Sequence, residues 1–137
     1  MVLERFKQLE FYRCPKCGAV VQMLHSYGSK VMCCGAPMER LVPNTVEAAH
    51  EKHIPVVTQV GTHINVRVGT AAHPMLKEHY IEWIAIQTRT GEYKRYFKPG
   101  DKPETTFDLN GGVPLAVYAY CNLHGLWIAK LPLEEKV

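Results

Sequence analysis

Long apolar runs are missing from this chain. The longest, Val113 to Cys121, is interrupted by Pro114 and falls far short of a membrane span. The first residues, Met-Val-Leu-Glu-Arg-Phe-Lys-Gln, lack the apolar core of a signal peptide. The expectation is a cytoplasmic protein, in a compartment that keeps thiols reduced. Basic clusters are missing too. Sixteen Lys+Arg stand against 13 Asp+Glu, and the net +3 is scattered without a run. Such a field favours small anions slightly and is too thin to argue for nucleic acid. There is no internal repeat and no low-complexity tract. An even number of cysteines is missing as well, since there are five. That fits a disulfide framework poorly and makes metal ligation the stronger reading.

The 137 residues suffice for one ordinary domain, or for a small domain plus a tiny metal-stapled one. They are too few for a barrel enzyme. With 47% hydrophobic and 21% charged residues the composition is that of a globular protein. The chemistry-bearing residues are unevenly placed. Cys14, Cys17, Cys33 and Cys34 crowd the first quarter and Cys121 stands alone near the end. The histidines run the other way, with only His25 before residue 49. This asymmetry predicts two modules, residues 1–40 and 41–137, with different metal chemistry.

In the first module, Tyr12 to Gly18 reads as a strand entering a tight turn and Ala19 to Leu24 as a second strand. Tyr27-Gly28-Ser29 is a turn, and Lys30-Val31-Met32 leads into Cys33-Cys34. So few residues cannot bury enough apolar surface to offset chain entropy, and a bound metal would supply the staple. The connection 41–55 contains a possible short helix, capped by Asn44 or Thr45, with Glu47 in its first turn and Pro55 at its end.

Beyond it the hydrophobic period becomes two. Val56–Val60, His63–Val68, Ile81–Ile86, Tyr93–Lys98, Thr105–Leu109, Leu115–Cys121 and Trp127–Leu131 read as strands, separated by Gly, Pro and Asn turn signals. Seven short strands at this spacing predict a mainly β protein whose larger module is an immunoglobulin-like antiparallel β-sandwich.

Cys14-x-x-Cys17-Gly18 has the spacing of a chelating turn, and Cys33-Cys34 returns two more thiolates after a hairpin-sized gap. Four soft ligands suit tetrahedral iron or zinc. A folding staple and a redox centre are both compatible with such a set, and a disulfide is a third reading. Adjacent cysteines cannot share the relaxed C-x-x-C turn, so a distorted angle at the metal is expected. In the second module, Cys121-Asn122-Leu123-His124-Gly125 resembles a chelating turn with one ligand changed to imidazole. His53, His73 and His79 each lie at an element boundary, where loops can converge. Spacing leaves open whether these are solvated histidines or a mixed imidazole–thiolate site. His25, His50 and His63 read as solvated or capping residues.

Taken together these segments resemble desulfoferrodoxin, the two-domain form of superoxide reductase, over nearly the whole chain. Cys14-x-x-Cys17-Gly18 with Cys33-Cys34 resembles desulforedoxin. Glu51-Lys52-His53-Ile54-Pro55, His73-Pro74-Met75 with His79-Tyr80-Ile81-Glu82-Trp83-Ile84, and Cys121-Asn122-Leu123-His124-Gly125 resemble the catalytic iron motifs. The resemblance implies a first iron held by Cys14, Cys17, Cys33 and Cys34, with zinc a possible substitute. It implies a second, non-haem iron with His53, His73, His79 and His124 as equatorial ligands, Cys121 as the axial thiolate and one position vacant. Glu51 and Lys52 would stand beside that position as catalytic residues. The implied reaction is one-electron reduction of superoxide to hydrogen peroxide. Rubredoxin is the implied donor, detoxification the implied role and a homodimer the implied assembly. His50 gains no role. A superoxide dismutase and a non-catalytic iron electron-transfer protein remain the alternatives.

Overall fold

The computed structural model describes residues 6–28, 30–46 and 48–131; Ser29 of the expected turn and Glu47 of the expected helix lie outside them. The chain divides into two compact units, one of Phe6–Val42 and one from Pro43 onward.

The smaller unit is built on β1 (Glu10–Arg13), β2 (Val20–Met23), β3 (Met32–Cys33), β4 (Ala36–Pro37) and β5 (Glu39–Arg40). β1 lies between β2 and β5 in a three-stranded antiparallel sheet, and β3 pairs β4 as a separate hairpin. β2 lies within the expected Ala19–Leu24 strand, and β1 begins two residues before the expected Tyr12. β3, β4 and β5 have two residues each, too few to leave a periodic trace in the sequence. Among the described residues of this unit only Phe11, Cys14 and Met38 are buried. So small an apolar core cannot hold the unit, and a cross-link through its thiols must.

The larger unit opens with a single helical turn, α1 (His50–His53). Seven strands follow: β6 (Pro55–Val60), β7 (His63–Val68), β8 (Ile81–Thr88), β9 (Glu92–Tyr96), β10 (Glu104–Asp108), β11 (Pro114–Cys121) and β12 (Gly125–Lys130). They form one antiparallel sheet in the order β10-β7-β6 and another in the order β12-β11-β8-β9. This is the expected immunoglobulin-like sandwich, three strands against four. Ile64, Val66 and Val68 of β7 meet Ile84 and Ile86 of β8, Phe107 of β10 and Val117 and Ala119 of β11 in the core between them.

Two local expectations change. Strict alternation puts Ile81 opposite Ile84 and Ile86, yet all three are core residues. The reason is a β-bulge: Tyr120 pairs Trp83 while Cys121 pairs Ile81, so Glu82 is an extra residue and the strand changes face. On its other edge the strand stays regular, and the Glu82 carbonyl accepts the Phe97 N–H at 2.8 Å in continuation of the β9 pairing. The second change concerns Asn44, which does not cap α1. It takes a positive φ of 61°. Its side chain clips β12, donating to the Ile128 carbonyl at 3.2 Å and accepting the Ile128 N–H at 2.9 Å. Ala49 occupies the N-cap position with no side-chain cap, which suits a helix of one turn. Pro55 lies past the helix end, as expected, and the strand expected from Val56 already begins with it.

Candidate functional site

The first constellation is a thiol cluster in the smaller unit. One sulfur from each of Cys14, Cys17, Cys33 and Cys34 lies within 4.8 Å of the others, and all are free of disulfide bonds. Cys17 and Cys33 sulfurs are 3.6 Å apart, and those of Cys33 and Cys34 3.9 Å. An S–S bond is about 2.05 Å long. A tetrahedral ion with metal–sulfur bonds of about 2.3 Å spaces its sulfurs roughly 3.8 Å apart. The observed spacings are those of a chelate. The Gly18 N–H closes the C-x-x-C turn on the Cys14 carbonyl at 2.9 Å, and the Cys17 N–H points at the Cys14 sulfur at 3.4 Å. That N–H holds the Cys14 thiol down at about 6. Hydrogen bonding to Cys14, then to Cys17, pushes Cys33 up to about 12. Cys14 is therefore the readiest thiolate, while Cys33 and Cys34 keep their protons until a cation takes their place. The adjacent pair solves its geometry by backbone strain: Cys34 takes φ 53° and Gly35 φ 74°, turning both sulfurs to one side.

The second constellation closes one end of the sandwich. His53 comes from α1, His73 and His79 from the β7–β8 connection, Cys121 from the end of β11 and His124 from the β11–β12 turn. The four imidazoles form a square. Successive ring centroids are 4.6 Å (His53–His73), 4.9 Å (His73–His79), 5.0 Å (His79–His124) and 4.9 Å (His124–His53) apart. Neighbouring rings are close to perpendicular, at 79° to 88°. Across the diagonal His53 and His79 are 6.5 Å apart and nearly parallel, at 25°. His53, His79, Cys121 and His124 each bring a ligand atom within 4.8 Å of one another. His73 completes the ring through Nε2, 3.1 Å from Nε2 of His53. The Cys121 sulfur lies 4.0 Å from His124 Nδ1.

This arrangement demands a cation. His53 donates Nδ1–H to the Ala49 carbonyl at 2.7 Å, and His73 donates Nδ1–H to the Pro74 carbonyl at 2.6 Å. Those bonds leave bare lone pairs on the two Nε2 atoms, which nonetheless face each other at 3.1 Å. His79 Nε2 is buried without a hydrogen-bond partner. Nitrogens at adjacent corners of a square, each about 2.1 Å from an ion, are roughly 3.0 Å apart. The observed 3.1 Å for His53–His73 and for His53–His124 matches. Burial lowers the pKa of His53 and His79 and takes His73 down to about 4; it raises that of the Cys121 thiol. His53, His73 and His79 are thus neutral and ready to ligate. The thiol loses its proton only to a metal.

Glu51 and Lys52 are exposed on α1, directly before His53. The charge of Lys52 reaches the square, where, after burial and the nearer histidines, it further disfavours protonation of His53 and His79. His25 stacks on Tyr27 and His63 approaches Asp108, so both lie outside the centre. His50 packs edge-on against Trp127 at 5.2 Å.

Three supports were not anticipated from the sequence. Trp127 stacks on His53 at 4.8 Å and donates Nε1–H to the His124 carbonyl at 3.1 Å. Asn122 accepts the Tyr80 N–H at 2.9 Å and donates to the Glu78 carbonyl at 3.0 Å, tying the Cys121–His124 turn to the His79 loop. Gly69 to Ala71 pack on α1. The signal for Asn122 was its place between Cys121 and His124, where a short amide reaches neighbouring backbone.

Fold and site together define a β protein with two metal-ligating centres, one all-thiolate and one of imidazoles with a single thiol. Residues 45–130 match the desulfoferrodoxin family, and residues 7–41 match the desulfoferrodoxin N-terminal domain. The chain belongs to the desulfoferrodoxin family. Its two centres correspond to that family's two iron sites. It is 48% identical over 121 residues to the desulfoferrodoxin of Syntrophotalea carbinolica, spanning 88% of this chain and 95% of that one. It is 42% identical to the desulfoferrodoxin of Nitratidesulfovibrio vulgaris, over 90% of this chain and 97% of the relative. The superoxide reductase of Treponema pallidum superposes with a TM-score of 0.75 at 38% identity, covering 90% of this chain and all of that one. The one-iron superoxide reductase of Giardia intestinalis covers 61% of this chain and 99% of its own, with a TM-score of 0.51 at 34% identity. Among the described residues no helix is long and apolar enough to cross a membrane.

Proposed function

We propose that this chain is a superoxide reductase that turns superoxide, one electron and two protons into hydrogen peroxide, the electron coming from an external carrier. The observation that carries this reading is the square of four perpendicular imidazoles with a buried thiol beside it. Five ligands leave an octahedral ion one position open, whereas structural metal sites are closed. The names of the Treponema and Giardia proteins support it. Iron bound at this centre supplies one-electron exchange and a vacant coordination position.

The remaining work falls to the chain. His53, His73, His79 and His124 ligate as neutral donors and leave the ion its positive charge, which favours an anionic substrate. Cys121 would hold the ion as a thiolate, offsetting one unit of its charge and supplying electron density. Lys52, exposed beside His53, draws superoxide in and orders water for proton delivery. Glu51, exposed two residues before His53, would be the carboxylate available to the position the five ligands leave open.

The first module, residues 1–40, is a desulforedoxin-like iron domain held by Cys14, Cys17, Cys33 and Cys34, where zinc can substitute. Residues 41–137 form the reductase domain. The protein detoxifies superoxide in the cytoplasm as a homodimer and takes electrons from rubredoxin or a similar carrier. Steady turnover with reduced rubredoxin tests this. One donor oxidised per superoxide supplied is expected, with superoxide removal falling to the uncatalysed rate when the donor is left out. Undiminished removal without any donor oxidation would replace the reading with a dismutase.

A further inference from the structure

The helical turn that carries Glu51, Lys52 and His53 has a gap in its own bonding. In a continuing helix the Glu51 carbonyl would accept the N–H four residues on, but that residue is Pro55, which has none. The β7–β8 connection fills the gap. The Ala71 N–H donates to the Glu51 carbonyl at 3.0 Å and the Thr70 hydroxyl donates to the same oxygen at 3.2 Å. Gly69, at φ +82°, lies beneath them. A Cβ there would fall 2.6 Å from the Glu51 oxygen, 2.6 Å from the Ala71 oxygen and 2.8 Å from the Lys52 carbonyl carbon. Arg67 in turn donates Nε–H to the Gly69 carbonyl at 3.3 Å. Glu51 is two residues from His53 and Ala71 two from His73, so these contacts join the two elements whose Nε2 atoms face each other at 3.1 Å.

We propose that Gly69, Thr70 and Ala71 form a clamp on the Glu51 carbonyl. The clamp sets the separation of His53 and His73, and so the metal affinity of the imidazole–thiolate centre, and it fixes the backbone from which Glu51 and Lys52 project. Gly69 and Thr70 are positioning residues; neither reaches the ligand atoms. Only a glycine lets the two backbones approach this closely. The hydroxyl of Thr70 gives α1 a second anchor beside the Ala71 N–H. The proposal rests on the reading of this centre as a metal site, and it does not depend on the reaction that the site performs.

The test compares ferrous-ion retention at the second centre of the full, iron-loaded chain, by chelator competition, with the visible spectrum of the oxidised protein. Removing a partner that orients metal ligands weakens affinity by about 10- to 100-fold. Gly69→Ala should fall in that range and shift the Cys121-to-iron band. Thr70→Val, which keeps shape and loses the donor, should weaken retention about 5-fold, the worth of one net hydrogen bond. Thr70→Ser should restore it. Gly111→Ala controls for backbone strain, since Gly111 also has a positive φ, of +88°, but nothing within 4 Å of a Cβ. Circular dichroism melts of each metal-free variant report on folding of the larger unit, which holds Gly69 and Thr70. Retention and spectrum in Gly69→Ala and Thr70→Val equal to those of Gly111→Ala would overturn the clamp. If Gly69→Ala does not fold, the Thr70→Val and Thr70→Ser pair decides. A wild-type protein that retains iron but reduces no superoxide would remove the proposed activity and leave this test intact.

Discussion

Asn122 offers the most tractable perturbation of the second centre. Its side chain makes two hydrogen bonds, to the Tyr80 N–H at 2.9 Å and to the Glu78 carbonyl at 3.0 Å. Both partners flank His79. Neither bond touches the ligand atoms, so Asn122→Ala leaves the donor set whole while releasing the loop that aims one corner of the square. Each bond is worth about 1 kcal/mol net, so the substitution should cost about 2 kcal/mol. A unit of this size loses about 4–8 °C of Tm per kcal/mol. The metal-free protein should therefore melt about 10 °C lower. The iron-loaded form should drop further, because a misplaced His79 also weakens ligation by about 10-fold. Circular dichroism melts of both forms, with chelator competition at 25 °C, measure the two effects separately. A metal-free Tm within about 2 °C of wild type, with unchanged retention, would refute the argument that Asn122 holds the two ligand loops together.

Further outcomes follow from the same geometry. The folded pKa of His73, about 4, lies below its ordinary 6.5 because of burial, so the unfolded chain binds its proton first. Stability from this group is complete above pH 6.5 and is lost as pH falls toward 4, about 3 kcal/mol in all. Urea midpoints of the metal-free protein at pH 7.5 and 4.5 check this, and equal values would contradict it. Lys52→Ala should slow superoxide capture by the reduced protein most at low ionic strength, since an exposed charge is screened beyond about 10 Å at 0.1 M salt. Stopped-flow rates across a salt series measure it, and an identical rate at low salt would remove Lys52 from steering. Cys121→Ser should abolish the thiolate-to-iron band and uncouple iron oxidation from peroxide release. Normal turnover in that variant would discard the role given to the thiolate. Glu51→Ala should leave the rate of the first oxidation unchanged while altering the resting oxidised spectrum.

The sandwich was legible because strands such as β7 and β10 have one buried face, and period-two alternation such as Ile64, Val66 and Val68 is its direct trace. The bulge at Glu82 was not legible, because it depends on which residue of β11 lies opposite. β4 and β5 were not legible either. Two residues carry no period, and their place is set by pairing with β3 and β1 rather than by a buried face of their own. The ligand set could be read residue by residue from resemblance, since metal chemistry restricts residue type tightly. The square itself could not, because it depends on Nδ1 bonds to the Ala49 and Pro74 carbonyls that no spacing encodes. Asn44 shows the reverse failure. Its side chain was read as a local cap and instead bonds β12, 84 residues away.

The most direct test of the central claim is a single-turnover balance. The protein is reduced anaerobically, counted superoxide is added, and peroxide formed and iron oxidised at the second centre are measured together. One peroxide and one oxidised iron per superoxide is the result the account predicts. One peroxide for every two superoxides, with no net oxidation of iron, would contradict it.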